Sequence, residues 1–588
     1  MLNSRLLVIY CLFFTSSFWA SGVTYQPKLT NKVVQALDFS VQQYKLMVAS
    51  LPDTTTYPRR TKSATDGTLV TVKAGDWTSG FFPGCLWYLY QYTGDAYWKT
   101  NALKWTGNLK SQKTNTNQGH DLGFVMNSSY GNAFRMTGDS ANVPILVESG
   151  QTLTNRFSAV VGCTKSWNSG SWAAWSNNKG SWSFPVIIDN MMNLELLFKT
   201  SLFTNDSNFY KKACIHANTT LLNHIRPDSS TYHVVDYDNT TGLVRARGTK
   251  QGLADESCWS RGQAWGIYGF SMMYKFTRDS VYLNAAKKLL GYYLKNKPAD
   301  HIPFWDYNVT TIPNTYRDAS AAAITSSALI DIYISTNDSS YLIYAENIIQ
   351  SLSTSAYTNA LGAKANFILS HSTGGTNGYE PDVSQNYAEY YYIETLVKYL
   401  SLDADYKPAN HVPEINTKQL EQAKKGVSYS KQLDVFDFDG DYLMVSCSNL
   451  PAGLSVNNSG LITGMPQNTG IFELTIRVSD GKKESTKLLK LQVISPTEIE
   501  NINSNVGFRI IQRNDKIEII STDNKLLFYN ELNLRIYNYS GQLLFSQQSF
   551  QAQKSLHFML PTTARNQMLI VEISTDKNWV FRQKLVVF

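Results

Sequence analysis

Acidic side chains set inside apolar runs are the first candidates for chemistry in this chain. Asp189 lies in Phe184-Pro185-Val186-Ile187-Ile188-Asp189-Asn190-Met191-Met192-Asn193. A carboxylate with such neighbours is poorly solvated, which raises its pKa and suits it to general acid catalysis near neutrality. The same position, after a proline and before a helical run, also suits a helix N-cap. Asp121, after His120 and before Leu122-Gly123-Phe124, poses the same choice. As a second carboxylate it would raise the pKa of Asp189 by like-charge repulsion and bind sugar hydroxyls. A third segment runs from Lys250-Gln251 to Trp259-Ser260-Arg261-Gly262-Gln263-Ala264-Trp265. Arginine offers a planar fork to a carboxylate, and tryptophan faces stack on sugar rings. An arginine shielded between aromatics that joins two helices is the structural alternative. His233 has no metal partner nearby and reads as a hydrogen-bonded interior imidazole. There is no phosphate loop, GxSxG elbow or HExxH, and no CxxC to indicate a zinc site; no metal or organic cofactor is expected.

The elements that must position these residues show a weak repeat. Turns centred on Asp95, Asp139, Asp206, Asp279 and Asp338 recur at spacings of 44, 67, 73 and 59 residues. Each follows a run that is apolar nearly all round and precedes an amphipathic run, such as Tyr282 to Leu290. A helix apolar on every side is buried on every side. Inner helix, Asp turn and outer helix, repeated about six times, predict helical hairpins closed into a ring around a cleft, with a straight solenoid as the competing arrangement. Eleven of the 13 tryptophans fall between Trp77 and Trp305. Beyond residue 405 the composition shifts. Residues 404–415, with Pro408 and Pro413, read as a linker, and two β-rich domains are expected at 412–495 and 505–588.

The chain has 588 residues, 43% hydrophobic and 17% charged, which gives large cores and excludes a disordered protein. Its net charge of +7 includes no Lys/Arg block, so a nucleic-acid partner is not expected. Residues 1–21 read as a secretory signal: Arg5, an apolar run from Leu6 to Phe14, then Ala20-Ser21-Gly22. No later stretch is long and apolar enough to span a membrane, so export to the periplasm, cell surface or medium is expected. The remaining Cys85, Cys163, Cys214, Cys258 and Cys447 are odd in number and widely spaced, which points to free thiols.

Five segments resemble, in order, glycoside hydrolase family 88, the unsaturated glucuronyl hydrolases: Asp76-Trp77-Thr78-Ser79-Gly80-Phe81, His120-Asp121-Leu122-Gly123-Phe124, Ile188-Asp189-Asn190-Met191-Met192-Asn193, Trp259 to Gly266, and Tyr387-Ala388-Glu389-Tyr390-Tyr391-Tyr392-Ile393-Glu394. The resemblance covers about residues 30–400. It implies a mainly α fold, an (α/α)6 barrel over residues 25–405, with two small all-β sandwich domains after it. It implies Asp189 as acid/base and Asp121 as a second essential carboxylate. Trp77, Phe81, Trp167, His233, Gln251, Arg261, Trp265 and Tyr390 match the family's sugar pocket, to which His120, Lys250 and Trp259 are added from the same segments. Lys250 replaces the family's usual His, and Glu389 stands where Asp is usual. The implied reaction protonates C4 of a 4,5-unsaturated uronate and hydrates the double bond, releasing the next sugar from lyase-generated fragments of ulvan, glycosaminoglycans or similar sulfated or glucuronate-containing polymers. The alternatives are an unsaturated rhamnogalacturonyl hydrolase and a non-catalytic surface glycan-binding protein. Residues 450–466 resemble immunoglobulin-like modules of secreted bacterial enzymes. The final segment resembles a type IX secretion C-terminal domain, which implies secretion machinery as a partner beside the oligosaccharide, but it departs from that pattern in lacking the usual Asn-Pro near its start.

Overall fold

The computed structural model describes residues 25–375 and 380–495, and strands between 508 and 587. The expected signal, 1–21, lies outside the described residues. Two compact units are present: Met1–Glu414 with Phe436–Asp441, and Ile415–Val435 with Tyr442–Phe588.

In the first unit, inner and outer helices alternate. The inner ones are α2 (Phe81–Thr93), α4 (Leu122–Met126), continued through a π turn at Asn127–Gly131 into α5 (Asn132–Thr137), α7 (Asn190–Thr204), α9 (Ser260–Thr277), α11 (Ala319–Thr336) and α13 (Asn386–Leu400). The outer ones are α1 (Thr30–Ser50), α3 (Ala96–Gly107), α6 (Asn142–Thr154), α8 (Ser207–Asn223), α10 (Ser280–Asn296) and α12 (Ser339–Leu352). Each inner element packs on the next, and α13 packs back on α2, so the ring closes. This is an (α/α)6 barrel. The solenoid alternative would leave the first and last inner helices apart.

The repeated turn is built from three residues. Thr93, Thr137, Thr204, Thr277 and Thr336 each donate a hydroxyl to the carbonyl four residues back and accept the N–H of the Asp two residues on. Asp95, Asp206, Asp279 and Asp338 then accept an N–H of the first turn of the outer helix, as Asp206 does from Asn208 at 2.9 Å, whereas Asp139 accepts the Ala141 N–H just ahead of its helix. The residue between is left-handed: Gly94, Gly138, Asn205, Arg278 and Asn337, with φ between 55° and 62°. Gly and Asn tolerate that region, whereas Arg278 carries the usual Cβ penalty. Among the described residues there are five such turns, because the sixth pair joins the first and last helices of the barrel, α1 packing on α13.

Four inner helices send aromatic rings to the barrel axis. Phe81, Phe124, Trp265 and Tyr391 meet edge-on or tilted at 5.2–6.1 Å. Above this plug, loops bring in two hairpins: β1 (Tyr57–Thr61) with β2 (Leu69–Val72), and the antiparallel sheet β3 (Phe184–Ile187), β4 (Val234–Tyr237), β5 (Val244–Gly248). The expected linker is more firmly held than its prolines suggest. His411 is buried, with its Nδ1 2.8 Å from Asp439 and its Nε2 3.1 Å from the Tyr90 carbonyl. The described cysteines are free.

In the second unit, residues 423–494 form a four-stranded and a three-stranded sheet around Ile462, Leu474, Ile476, Val478 and Leu491. Leu474, Ile476 and Val478 alternate inward along one strand, as period-two patterning requires. The described strands from Phe508 to Val587 form two further antiparallel sheets.

The turn chemistry sets an expectation for stability. Asp206→Ala should lower it by about 1 kcal/mol through loss of the cap. Arg278→Gly should raise it by about 1 kcal/mol by relieving the left-handed backbone. Thermal unfolding of the two variants beside the parent measures both.

Candidate active site

Asp189 and Asp121 each occupy the position just before an inner helix, α7 and α4, yet neither side chain caps it. That separates them from the four capping turn aspartates, Asp95, Asp206, Asp279 and Asp338, and the capping alternative does not hold for either. Both line one cavity of about 690 Å³, together with Trp77, His120, Trp167, Lys250, Gln251, Trp259 and Arg261.

The backbone that presents them is special at two glycines. Gly119 takes φ 65°, ψ −139°, a region open to glycine, and a Cβ there would sit 2.6 Å from the Ser166 carbonyl. Gly123 lets Asn193 approach to where a Cβ would clash at 2.4 Å. Asn193 accepts the Phe124 N–H at 2.7 Å through Oδ1, so its amide nitrogen donates to His120 Nδ1 at 3.1 Å. The proton of His120 is therefore on Nε2, 3.4 Å from Asp121 Oδ1. His233 repeats the device. Its Nδ1 accepts the N–H groups of Lys250 and Gln251 at 3.1 and 3.2 Å, and its Nε2 lies 3.8 Å from Asp189 Oδ2. Burial keeps both imidazoles neutral, with pKa values well below the usual range. Each carboxylate is thus faced by a neutral, tautomer-fixed imidazole.

Burial pushes Asp189 up to about 7, against the opposing pull of the Arg261 charge, its own backbone N–H and the Trp265 indole N–H. Among the described residues its Oδ2 has no hydrogen-bond partner. Asp121 is also raised well above the ordinary range, first by burial and then by Asp189 and Asp76. Burial is the largest cause of the rise at both carboxyls, and like-charge repulsion within the pair adds to it.

The other residues separate by depth. The Arg261 guanidinium lies against the rings of Trp259 and Tyr387, 4.5 and 4.9 Å from their centroids. Trp167 stacks on Trp182 at 5.0 Å, and the exposed Lys250 holds its Nζ 5.8 Å above the Trp182 ring at the rim. Gln251 is anchored to the Gly374 carbonyl at 3.1 Å. Phe81, Trp265 and Tyr390 do not line the cavity; they form the aromatic floor beneath it. His233 supports Asp189 from behind the wall. Tyr387, one helical turn from Tyr390, is the ring that reaches the cavity, a distinction that i, i+3 spacing on α13 leaves open. Glu389 is buried elsewhere, accepting the N–H groups of Ile368 and Leu369 at 2.7 and 2.8 Å. Trp175 and Glu380 also line the cavity and were not expected there. Glu380 is paired with Arg59 at 2.6 Å and Arg60 at 3.1 Å. Trp175 belongs to a segment with four tryptophans, 167–182, a signal that could have found it; Glu380 has no local signal.

An acidic, aromatic-walled cavity at the mouth of an (α/α)6 barrel is the site of a carbohydrate-active enzyme. Residues 54–400 match Glycosyl Hydrolase Family 88, and residues 412–494 match the Ig domain family He_PIG. The chain belongs to glycosyl hydrolase family 88 and is a glycosidase, not a binding protein. It is 41% identical over 329 residues to an unsaturated glucuronyl hydrolase of Formosa agariphila, spanning 55% of this chain and 80% of that one. A second unsaturated glucuronyl hydrolase, of a Bacillus species, is 30% identical over 330 residues, 55% of this chain and 86% of that one. The solved structure of an unsaturated glucuronyl hydrolase specific for heparin superposes with a TM-score of 0.59 at 39% identity, covering 63% of this chain and 97% of that one.

The raised pKa of Asp189 has a consequence for stability. An unfolded Asp titrates near 3.9, so stability present below that pH is lost as pH rises through about 7. Asp189→Asn removes the loss. It should stabilise the protein by up to about 4 kcal/mol at pH 8 and by little at pH 4, read from thermal unfolding at the two pH values.

Proposed function

We propose that this enzyme removes the terminal 4,5-unsaturated uronate from oligosaccharides by protonating C4 and hydrating the C4=C5 bond. The observation that carries the reading is Asp189: a cavity-lining carboxyl, lifted to about 7 by burial, with an oxygen that has no hydrogen-bond partner among the described residues. An enol ether is a weak base and needs an acid that still holds its proton near neutrality. Asp189 gives that proton to C4, and positive charge develops at C5 and the ring oxygen. Ionised Asp189 then takes a proton from water as the water oxygen bonds to C5. The hemiketal so formed opens and expels the neighbouring sugar. No bond to C1 is attacked, so carboxyl separation does not govern the outcome. Asp121, presented by His120, is the second carboxylate, placed for the sugar hydroxyls. Among the described residues, Arg261 Nε–H and one Nη2–H have no acceptor, a pair suited to the uronate carboxylate.

Lys250 refines the substrate. It is exposed at the cavity rim and, among the described residues, forms no ion pair, so it suits a sulfate or carboxylate on the sugar next to the uronate. The similar heparin-specific hydrolase supports an anionic neighbour. Ulvan and glycosaminoglycan fragments are the substrate classes we favour. Residues 1–21 support export, and the C-terminal β domain supports a secretion or spacer role; both rest on sequence.

Three outcomes test this. On an unsaturated disaccharide, the enzyme should bleach the alkene's ultraviolet absorbance, with turnover falling as pH rises through about 7. Asp189→Asn should lower kcat by about 10²–10⁴-fold while sugar binding persists; near-normal turnover would reject the assignment. Lys250→Ala should lower the ratio of kcat/KM for sulfated over unsulfated disaccharides by roughly 5-fold, the loss of one exposed ionic contact; an unchanged ratio would remove Lys250 from specificity.

A further inference from the structure

The buried cation of the cavity is held by a carboxylate that never reaches the cavity. Arg261, in the first turn of α9, is 1% exposed. Its Nη1 donates to Asp318 Oδ2 at 3.0 Å, to the Thr373 carbonyl at 2.6 Å and to Ser320 Oγ at 3.3 Å; its Nη2 donates to the Gly374 carbonyl at 2.9 Å. Asp318 is fully buried and immobilised in turn. It caps α11, accepting the Ser320 N–H at 3.1 Å, and its own N–H donates to the Pro303 carbonyl at 2.9 Å. The pair therefore joins the N-termini of two neighbouring inner helices, and Asp318 is absent from the cavity wall.

We propose that Asp318 is a positioning residue: it fixes the Arg261 fork that receives the uronate carboxylate, and it screens Asp189 from the full positive charge of Arg261. This deepens the proposed reaction and rests on it. The groups facing Asp189 are Arg261 and Trp265 from α9, His233 just ahead of β4, and Asp121 ahead of α4. Those acting on Arg261 are Asp318, Asp189, Tyr387 and Glu380, and among the described residues only Asp318 forms an ion pair with it. Glu380 is already engaged by Arg59 and Arg60. In a dry site an unscreened guanidinium favours the ionised form of a neighbouring carboxyl and would strip the acid of its proton before the alkene arrives.

Asp318→Asn tests this cleanly, because Asn keeps the size and the helix cap and removes only the charge. KM for the unsaturated disaccharide should rise roughly 10-fold, and the alkaline limb of kcat/KM should move down by about one pH unit. Asp318→Glu should return the limb toward its original pH while KM stays raised. A purely structural role would lower the melting temperature and leave the limb in place; an unmoved limb with KM within about 2-fold overturns the proposal. Arg261→Gln gives an independent answer if the Asn variant does not fold: its limb should move to higher pH, and an unmoved limb again overturns it. Failure of the reaction itself is separately visible, as a wild-type enzyme that leaves the alkene intact. In that event calorimetric binding of a saturated glucuronate disaccharide decides: about 10-fold weaker binding to Asp318→Asn supports the proposal, and equal binding overturns it.

Discussion

The structure turns on one carboxyl group held between two opposing forces. Burial favours the protonated form of Asp189, and the nearby guanidinium of Arg261 favours the ionised one. Neither force can be allowed to win outright. Without burial the acid would be empty at neutral pH, and without a cation the uronate carboxylate would have no receiver and would raise Asp189 further. The surroundings are arranged to keep this balance: Oδ2 without a donor among the described residues, a neutral imidazole behind it, and an arginine whose charge is already shared. Such an arrangement is unfavourable for folding, and the large barrel core carries it.

The rest of the barrel works as a frame for that balance. Five Thr–αL–Asp turns, four of them with the Asp capping the next helix, fix the outer helices, so the inner N-termini and their loops stand at one end. The aromatic plug beneath the cavity keeps the axis dry and stops side chains from collapsing into it. The loops then supply chemistry that the helices alone lack: the 120–121 pair, the imidazole just ahead of β4 and the 250–251 rim. Aromatic rings against Arg261 complete the wall.

Much of this was legible in the sequence, for physical reasons. All-apolar runs followed by Asp turns can only be buried helices with capped successors, and that pattern gave the ring. The sixth pair was not legible, because α1 has no Asp turn and finds α13 only in three dimensions. Asp189 stood out because charged residues are rare in apolar surroundings, but the sequence could not say whether it capped a helix or faced a cavity; both geometries share the same local residues. Tyr387 and Tyr390 differ by one turn of α13, and only the height of the aromatic floor tells which meets substrate. Glu380 and Asp318 were invisible for a different reason. Their partners lie far along the chain, 57 residues away for Asp318 and Arg261, and nothing local marks a long-range ion pair.

The account stands on Asp189 holding a proton where an ordinary aspartate would not, and that is directly measurable. Carbon-13 NMR titration of protein labelled at the aspartate carboxyls, with the Asp189 signal assigned by its loss in the Asn variant, reports the group without any substrate. The account predicts a midpoint near 7. A midpoint at the ordinary aspartate value of about 4 would contradict it.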